Sequence, residues 1–329
     1  MKVLVTGASG FLGRHLLALL DAHPTYEPTG LCRRPERFGT IPVDITRADL
    51  VTHPNLTEVF KGFGAIIHAA GAVSHDPRDA RTMYASHVTG TERLLAAARD
   101  AGVGRVVFVS TSGTIAVSET SQTLDETAPS PLAITKEWPY YRSKLFAEQA
   151  AMNASSDELD VVVLNPSLLL GPAAGSPYDS RATTTAGDGV LSPLLRGELT
   201  LSPSGGISFV DVRDVAHVAV RALGHGHPGR RYLLAGANWT FADFYSRAAR
   251  IAQCRAPGFK APGFGARLLK FLPKRATDRL PGTPLELEMA SCTWWANSAR
   301  AATELGFTPR EPLDTLSEAV RAAQRSLHA

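Results

Sequence analysis

Tyr140 and Lys144 are two residues whose spacing could support acid–base chemistry. They stand four apart within residues 139–144 (PYYRSK), at the start of a predicted helix. Four residues are about one helical turn, so the phenol and the ammonium share one face. A nearby ammonium favours the phenolate, so we expect the pKa of Tyr140 to lie below its ordinary value. Such a phenol could exchange a proton with an alcohol or ketone. Tyr141, three residues from Lys144, is a competing candidate.

A glycine-rich loop near the start of the chain would bring a redox cofactor to this pair. Gly7, Gly10 and Gly13 recur at intervals of three, between a strand-like run at 3–6 and a helical pattern at 12–21. The first glycine allows a tight turn, the second lets the backbone approach a pyrophosphate, and the third permits close helix–strand packing. The helix N-terminus then faces the anion. This context predicts a dinucleotide-binding loop.

The end of the second predicted strand bears on the choice of cofactor. An acidic residue there would bind the ribose 2′-hydroxyl of NAD, whereas an arginine accommodates the 2′-phosphate of NADP. This strand ends in Cys32, and Arg33 and Arg34 follow with no acidic residue at the turn. Planar guanidinium groups suit phosphate oxygens. We therefore predict NADP, with NAD as the alternative if both arginines are only solvated surface charges.

The remaining pattern predicts the elements that hold these residues. Apolar runs rich in β-branched residues alternate with helical patterns, which is typical of βαβ units and a parallel sheet covered on both faces. We predict an α/β fold, a Rossmann-type doubly wound parallel sheet with a smaller C-terminal substrate lobe. The predicted strands of the first half are 3–6, 29–32, 65–70, 105–110 and 160–165, and its predicted helices are 12–21, 89–101 and 140–153. Farther along, helical segments are predicted at 190–196, 212–223, 266–272 and 313–327.

The composition of the chain changes after Pro166, where stretches rich in Gly and Pro begin. We predict an NAD(P)-binding domain at 1–165 and a mainly substrate-binding lobe at 166–329. Strand-like pieces occur at 207–210 and 231–234, so parts of the second region are predicted to return to the main sheet.

Composition argues against several other classes of protein. The formal charge of the 329 residues is +3 with no dense basic stripe, so we expect no nucleic-acid partner. No apolar run approaches the roughly 20 residues that span a bilayer, and the N-terminus turns glycine-rich too early for a signal peptide. The three cysteines are scattered, and the histidines lack metal-binding spacing. We expect a cytoplasmic protein without a metal site.

Motifs along the first 220 residues together resemble one family. The chain resembles the extended short-chain dehydrogenase/reductases, also called the NAD-dependent epimerase/dehydratase family, and within it the dihydroflavonol-4-reductase-like branch. The motifs appear in the order typical of that family. They are residues 6–13 (TGASGFLG), 68–71 (HAAG), 109–114 (VSTSGT), 140–144 (YYRSK), 165–167 (NPS) and 209–216 (FVDVRDVA).

The resemblance implies roles for individual residues. Ser112 matches the serine that hydrogen-bonds the substrate oxygen, Tyr140 the general acid/base, and Lys144 the lysine that holds the nicotinamide ribose. Ser110 and Thr111 are weaker candidates for the serine role. Asp44 and Ile45 resemble the pair that flanks adenine. The full set of expected cofactor contacts is Gly7, Ser9, Gly10, Phe11, Leu12, Gly13, Arg33, Arg34, Asp44, Ile45, Ala69, Ala70, Gly71, Tyr140, Lys144, Pro166 and Ser167.

Two departures from the family pattern affect this interpretation. The family often has Asn where this chain has His87, which is either a structural substitute or a residue that touches the active site. Gly113 follows Ser112 where the dehydratases of the family usually carry an acidic residue, so dehydration of sugars is disfavoured.

Three functions remain open from the sequence. The first is NADP-dependent reduction of a ketone or aldehyde to an alcohol, with Tyr140 as proton donor and a small-molecule carbonyl as substrate. The second is NAD-dependent sugar-nucleotide epimerisation, for which Arg196 and Arg213 could bind a diphosphate. The third is a non-catalytic nucleotide sensor, which is disfavoured because both Tyr140 and Lys144 are retained. The family resemblance implies a monomer or homodimer.

Overall fold

A seven-stranded parallel sheet forms the centre of the fold in the computed structural model, which describes residues 1–38, 41–175, 188–260 and 283–327. Its strands are β1 (Lys2–Thr6), β2 (Glu27–Cys32), β3 (Asp44–Arg47), β4 (Ala65–His68), β5 (Arg105–Val109), β6 (Asp160–Pro166) and, later in the chain, β10 (Arg231–Leu234). The remaining described strands are β7 (Leu168–Leu170), β8 (Leu201–Ser202), β9 (Gly206–Asp211), β11 (Ala237–Thr240) and β12 (Phe259–Lys260).

The strand order of the main sheet creates a crevice for a ligand. The order is β10-β6-β5-β4-β1-β2-β3, so the chain runs outward from β1 in one direction and then, from β4, in the other. Ligands of doubly wound sheets bind outside the carboxyl ends of the strands at such a reversal. The prediction of a Rossmann-type fold is confirmed.

Helices cover both faces of this sheet, and others pack on the small sheet described below. The described helices are α1 (Phe11–Asp21), α2 (Leu56–Phe60), α3 (Ala80–Tyr84), α4 (Gly90–Asp100), α5 (Leu132–Thr135), α6 (Pro139–Asn153), α7 (Asp188–Leu195), α8 (Val212–Arg221), α9 (Phe241–Ala252), α10 (Pro284–Ser291), α11 (Ala299–Leu305) and α12 (Pro312–Leu327). The predicted segment at 266–272 lies outside the described residues. Side chains of α1, α8 and α11 form one core layer with the sheet. Those of α2, α4 and α6 form the other. In the described ranges no helix is both long and apolar enough to cross a bilayer.

The two strand-like pieces of the C-terminal region have different positions. Residues 231–234 return to the main sheet as β10, where they pair with β6. Residues 207–210 do not return, since they lie in β9 of a small sheet with β7 and β11. A third hydrophobic core packs α7, α9 and α12 against this small sheet.

Candidate active site at the carboxyl edge of the sheet

The carboxyl ends of the central strands bring most of the predicted site residues to one edge. Thr6, the last residue of β1, pairs with Leu31 on β2 and with His68 on β4. Farther along the sheet, Phe108 on β5 pairs with Val163 on β6. The segments that follow these strands carry the predicted residues, namely Gly7, Arg33, Arg34, Ala69–Gly71, Ser112 and Ser167.

The glycine loop has the close backbone packing that a dinucleotide fold requires. Gly7 has a φ of +68°, and a Cβ there would lie 2.5 Å from the carbonyl oxygen of Ala69. A Cβ on Gly13 would lie 2.2 Å from the carbonyl oxygen of Gly7. The helix α1 begins directly after Gly10 without a side-chain cap, and its first turn contains no acidic residue. Its N-terminal N–H groups therefore suit a phosphate anion.

Ser167 gives a second indication that these residues fit a nicotinamide cofactor. It follows β6 and is 5% exposed, and its hydroxyl has no hydrogen-bond partner among the described residues. Buried hydroxyls usually find a partner, so a polar ligand at this strand end would satisfy it. The glycine loop and Ser167 thus provide a phosphate cradle and a polar contact at one edge.

Arg33 and Arg34 are exposed just beyond the end of β2. Neither makes an ion pair with another described side chain.

Sequence reasoning missed Arg14, which is 1% exposed on α1 and contacts both the segment that follows β2 and the glycine loop. Its Nε donates to the carbonyl oxygen of Ser9 at 3.2 Å, and its guanidinium carbon lies 4.6 Å from the centre of the Phe38 ring.

The assignment of Asp44 and Ile45 to the adenine site is wrong. Asp44 opens β3 and pairs with Thr29 near the start of β2, which places it toward the amino edge of the sheet. At 3.3 Å per residue it lies about 10 Å behind the last residue of the strand. The pair that follows β3 at the carboxyl end is Asp49 and Leu50. The error arose because the sequence alone does not give the register of a short, half-exposed strand.

Helix α6 starts at the predicted catalytic motif. Pro139 occupies its first position, where the missing N–H costs nothing. Tyr140, Lys144 and Glu148 follow at intervals of four on one face, and Lys144 and Glu148 are buried. Lys144 Nζ donates to the carbonyl oxygen of Val109 at 2.8 Å, so the ammonium lies at the end of β5, the strand that leads to Ser112.

The expected lowering of the Tyr140 pKa is contradicted. Burial raises the pKa of Tyr140 to about 12. The loss of hydration of the phenolate outweighs the field of Lys144, whose ammonium is directed at the backbone of Val109. Tyr140 is therefore a neutral phenol near pH 7, which is the form that donates a proton.

Lys144 itself has an unusual ionisation. Burial lowers its pKa from the ordinary lysine value to about 8, and the charge of Glu148 opposes this shift. The charge of Lys144 in turn contributes, after burial, to a pKa of about 3 for both His68 and His87. His68 is held by Thr6, whose hydroxyl lies 2.7 Å from Nδ1, and by Thr91, so it is a neutral packing residue.

We expect cofactor affinity to fall as the pH rises through about 8. Below that pH Lys144 is cationic and able to donate hydrogen bonds to ribose hydroxyls; above it the charge is lost. The check is the NADPH dissociation constant between pH 7 and 9.5 for the wild type and for Lys144→Met. The variant should bind more weakly, with no pH dependence in this range. A wild-type constant that stays flat from pH 7 to 9.5 would contradict the assignment.

Ser112 opens a single 3₁₀ turn after β5 that is fixed by its neighbours. The Thr111 hydroxyl accepts from the N–H of Gly113 at 3.3 Å. Ser110, one of the weaker candidates for the serine role, donates to Glu148 at 2.5 Å. No hydrogen bond joins the Ser112 hydroxyl to another described side chain. Of the three hydroxyls, that of Ser112 is the one that makes no hydrogen bond within the described ranges.

Glu148 anchors this turn, and sequence reasoning missed it. Its Oε2 accepts from Ser110, from Thr114 at 2.6 Å and from the Asn165 side chain at 2.7 Å. Its Oε1 lies 3.3 Å from Arg231 Nη1. The signal that could have found it was its position four residues after Lys144, on the same buried face of α6.

Tyr141 lies in a different environment from Tyr140. Its ring is so close to Gly113 that a Cβ there would meet it at 2.2 Å. It also packs on Trp294, with 4.9 Å between ring centres, and on Trp138. Burial raises the pKa of Tyr141, with a further contribution from Tyr140. These contacts make Tyr141 a packing residue beside the serine turn.

The described part of the chain contains no group of three His, Cys, Asp or Glu side chains suited to a metal ion.

Comparisons with known proteins identify the family. A model of the NAD dependent epimerase/dehydratase family matches residues 3–235, well over half of the chain. The chain belongs to this family.

Similar proteins include named reductases. The chain is 29% identical over 327 residues to a Synechocystis sp. protein provisionally named dihydroflavonol 4-reductase, with 96% of this chain and 92% of that protein covered. It is 31% identical over 252 residues to cinnamoyl-CoA reductase 1 of Petunia hybrida, with 71% and 72% covered. The crystal structure of gox2253 superposes with a TM-score of 0.83 at 25% identity and covers 98% of both chains. The chain is an NAD(P)-dependent enzyme of the extended short-chain dehydrogenase/reductase type.

Proposed function

We propose that this enzyme reduces a ketone or aldehyde to an alcohol with NADPH. The observation that carries the proposal is that Lys144, one helical turn after the neutral Tyr140 phenol, is anchored at the end of β5, the strand that leads to the uncommitted Ser112 hydroxyl. One proton donor and one hydrogen-bond donor are what a carbonyl oxygen needs as it becomes an alkoxide. The similarity to two named reductases supports the same direction of reaction.

Ser112, Tyr140 and Lys144 each have a separate role in the proposed reaction. A bound nicotinamide cofactor supplies a hydride to the carbonyl carbon. Ser112 donates a hydrogen bond to the carbonyl oxygen and orients it. Tyr140 transfers its proton to the same oxygen as negative charge develops there, and Lys144 stabilises the resulting phenolate. The products are the alcohol and the oxidised cofactor, and solvent then reprotonates Tyr140.

The adenosine end of the cofactor would occupy the side of the sheet formed by β2 and β3. Arg33 and Arg34 support a 2′-phosphate there, because they are exposed and unpaired among the described residues. In place of Asp44 and Ile45, we propose that Asp49 and Leu50 flank the adenine. Asp49 Oδ1 already accepts from the N–H of Val51 at 2.8 Å, which fixes the carboxylate at the end of the strand.

Sugar-nucleotide epimerisation is the alternative that the family description keeps open. The two arginines considered for a diphosphate do not favour it. Arg213 is bound to Asp211, with Nη2 and Oδ2 2.8 Å apart, and also to Glu318. Arg196 lines a surface pocket beside residues at the ends of α9 and α12 rather than any residue of the site.

Cofactor consumption over a substrate panel tests the proposal. Purified enzyme is mixed with NADPH and with ketones, aldehydes or UDP-sugars, and the loss of absorbance of the reduced cofactor is followed. We expect consumption with at least one carbonyl compound. Interconversion of UDP-sugars with no net loss of cofactor would establish the epimerase instead.

Replacement of both Arg33 and Arg34 by Gln is expected to weaken NADPH binding by about ten- to a hundredfold, since charged hydrogen bonds to phosphate contribute about 1.5–3 kcal/mol. NADH affinity should change little, because NADH lacks the 2′-phosphate. The matched control is Arg99→Gln, an exposed arginine at the C-terminal end of α4. If the double variant bound NADPH as tightly as the wild type does, the proposed cofactor preference would be refuted.

A further inference from the structure

His87 lies where the cofactor side and the catalytic helix meet. It is 2% exposed, within a π-helical turn at Ala85–Thr89 that interrupts the path from α3 to α4. Such single turns of wider helix often mark functional sites. The ring packs in a T-shaped arrangement with the ring of Tyr140, with 5.6 Å between ring centres and an interplanar angle of 81°.

The two ring nitrogens of His87 reach two different segments. Nε2 accepts from the N–H of Ala72 at 3.1 Å, in the loop that follows β4. Nδ1 lies 2.8 Å from the hydroxyl of Ser143, which itself donates to the carbonyl oxygen of Tyr140 at 2.8 Å. Gly71 leaves room for the ring, since a Cβ there would lie 3.1 Å from Nε2.

These contacts fix the protonation of the ring. Because Ala72 can only donate, Nε2 must be unprotonated, and a neutral ring then carries its proton on Nδ1. The Ser143 oxygen accepts a hydrogen bond from this Nδ1–H group, while the Ser143 hydroxyl donates its own hydrogen to the carbonyl oxygen of Tyr140. Burial, with the charge of Lys144, lowers the pKa of His87 to about 3, so the ring stays neutral at working pH.

We propose that His87 is a positioning residue with a separate task at each nitrogen, an inference that rests on the function proposed above. The Nδ1 bond, through Ser143, holds the first turn of α6 and thereby the direction of the Tyr140 phenol. The Nε2 bond holds the loop of Ala70, Gly71 and Ala72 where that loop borders the cofactor. Nδ1 therefore governs turnover, and Nε2 governs cofactor affinity.

Two variants of His87 separate the tasks. In His87→Asn the side-chain amide N–H takes the place of Nδ1, so the bond to Ser143 is kept and the acceptor for Ala72 is lost. In His87→Gln the amide oxygen takes the place of Nε2, so the acceptor is kept and the bond to Ser143 is lost. A lost buried hydrogen bond corresponds to roughly a tenfold change.

We expect His87→Asn to weaken NADPH binding about tenfold and to keep kcat at saturating cofactor, and His87→Gln to lower kcat about tenfold and keep NADPH affinity. Ser143→Ala should reproduce the effect of His87→Gln, and the two changes together should add nothing further, since they break one bond. Thermal unfolding of each variant shows whether it is folded.

Other results would overturn either the role of His87 or the proposed function. If both His87 variants change kcat and affinity together, or change neither, His87 only fills space and the inference is overturned. A wild-type enzyme that consumes no NADPH with any carbonyl refutes the proposed function, while the affinity pattern of the two variants still tests the role of Nε2.

Discussion

Tyr140→Phe is expected to lower kcat by about 100- to 10,000-fold, the range that one positioned proton donor contributes. The phenylalanine keeps the ring against His87 and Tyr141 and removes only the hydroxyl. NADPH affinity should stay within about twofold of the wild type, because the proton is needed in the chemical step and not for binding. Steady-state kinetics and a separate binding titration measure the two quantities.

Tyr141→Phe is the matched control for this prediction. It removes the neighbouring hydroxyl from a ring that packs on Gly113 and Trp294. Its kcat should remain close to that of the wild type. If Tyr141→Phe lost activity and Tyr140→Phe kept it, the proton donor would be Tyr141 and not Tyr140.

Loss of the Glu148 side chain is expected to have the largest effect on stability. Glu148→Ala should lower the free energy of unfolding by about 3–5 kcal/mol, the usual result of removing one partner of a buried ion pair. It leaves Arg231 without its carboxylate partner, removes the acceptor of the buried Ser110 hydroxyl and takes one of three acceptors from the Asn165 amide. The serine turn that these groups hold should loosen, so we also expect a loss of turnover.

Urea unfolding of the purified variants checks this expectation. The control is Glu58→Ala, which breaks the exposed pair with Lys61, where both side chains are more than half exposed. Exposed pairs of this kind contribute about 0–1 kcal/mol. A Glu148→Ala protein as stable as Glu58→Ala would show that the buried network does not support the serine turn.

The parts of the site that were predictable from the sequence are local ones. The spacing of Gly7, Gly10 and Gly13 fixes a turn within a few residues, and the helical turn from Tyr140 to Lys144 needs only its own segment. The alternation of apolar strands and helices similarly predicted the main sheet, because burial on both faces leaves a continuous apolar pattern. Helix α9 was missed, although its buried face of Phe241, Phe244, Tyr245 and Ala248 has helical spacing.

What could not be predicted depends on contacts between distant segments. The place of Asp44 depends on the pairing of β3 with β2, which a strand of four residues does not specify by its own pattern. The pKa of Tyr140 depends on how deeply the fold buries the phenol, which helical spacing does not report. The groups that surround Glu148 of α6 come from β6, β10 and the turn after β5, and they meet only in the folded protein.

The most direct test of carbonyl reduction is a deuterium-transfer experiment. It uses NADPH that carries deuterium at both C4 positions. The carbonyl compound that best supports cofactor consumption is incubated with the enzyme, and the alcohol is analysed by mass spectrometry. We predict one deuterium on the former carbonyl carbon for each NADPH oxidised, and a loss of this transfer in Tyr140→Phe. Alcohol without deuterium, or UDP-sugar epimers formed while the labelled NADPH remains unconsumed, would contradict carbonyl reduction as the function of this enzyme.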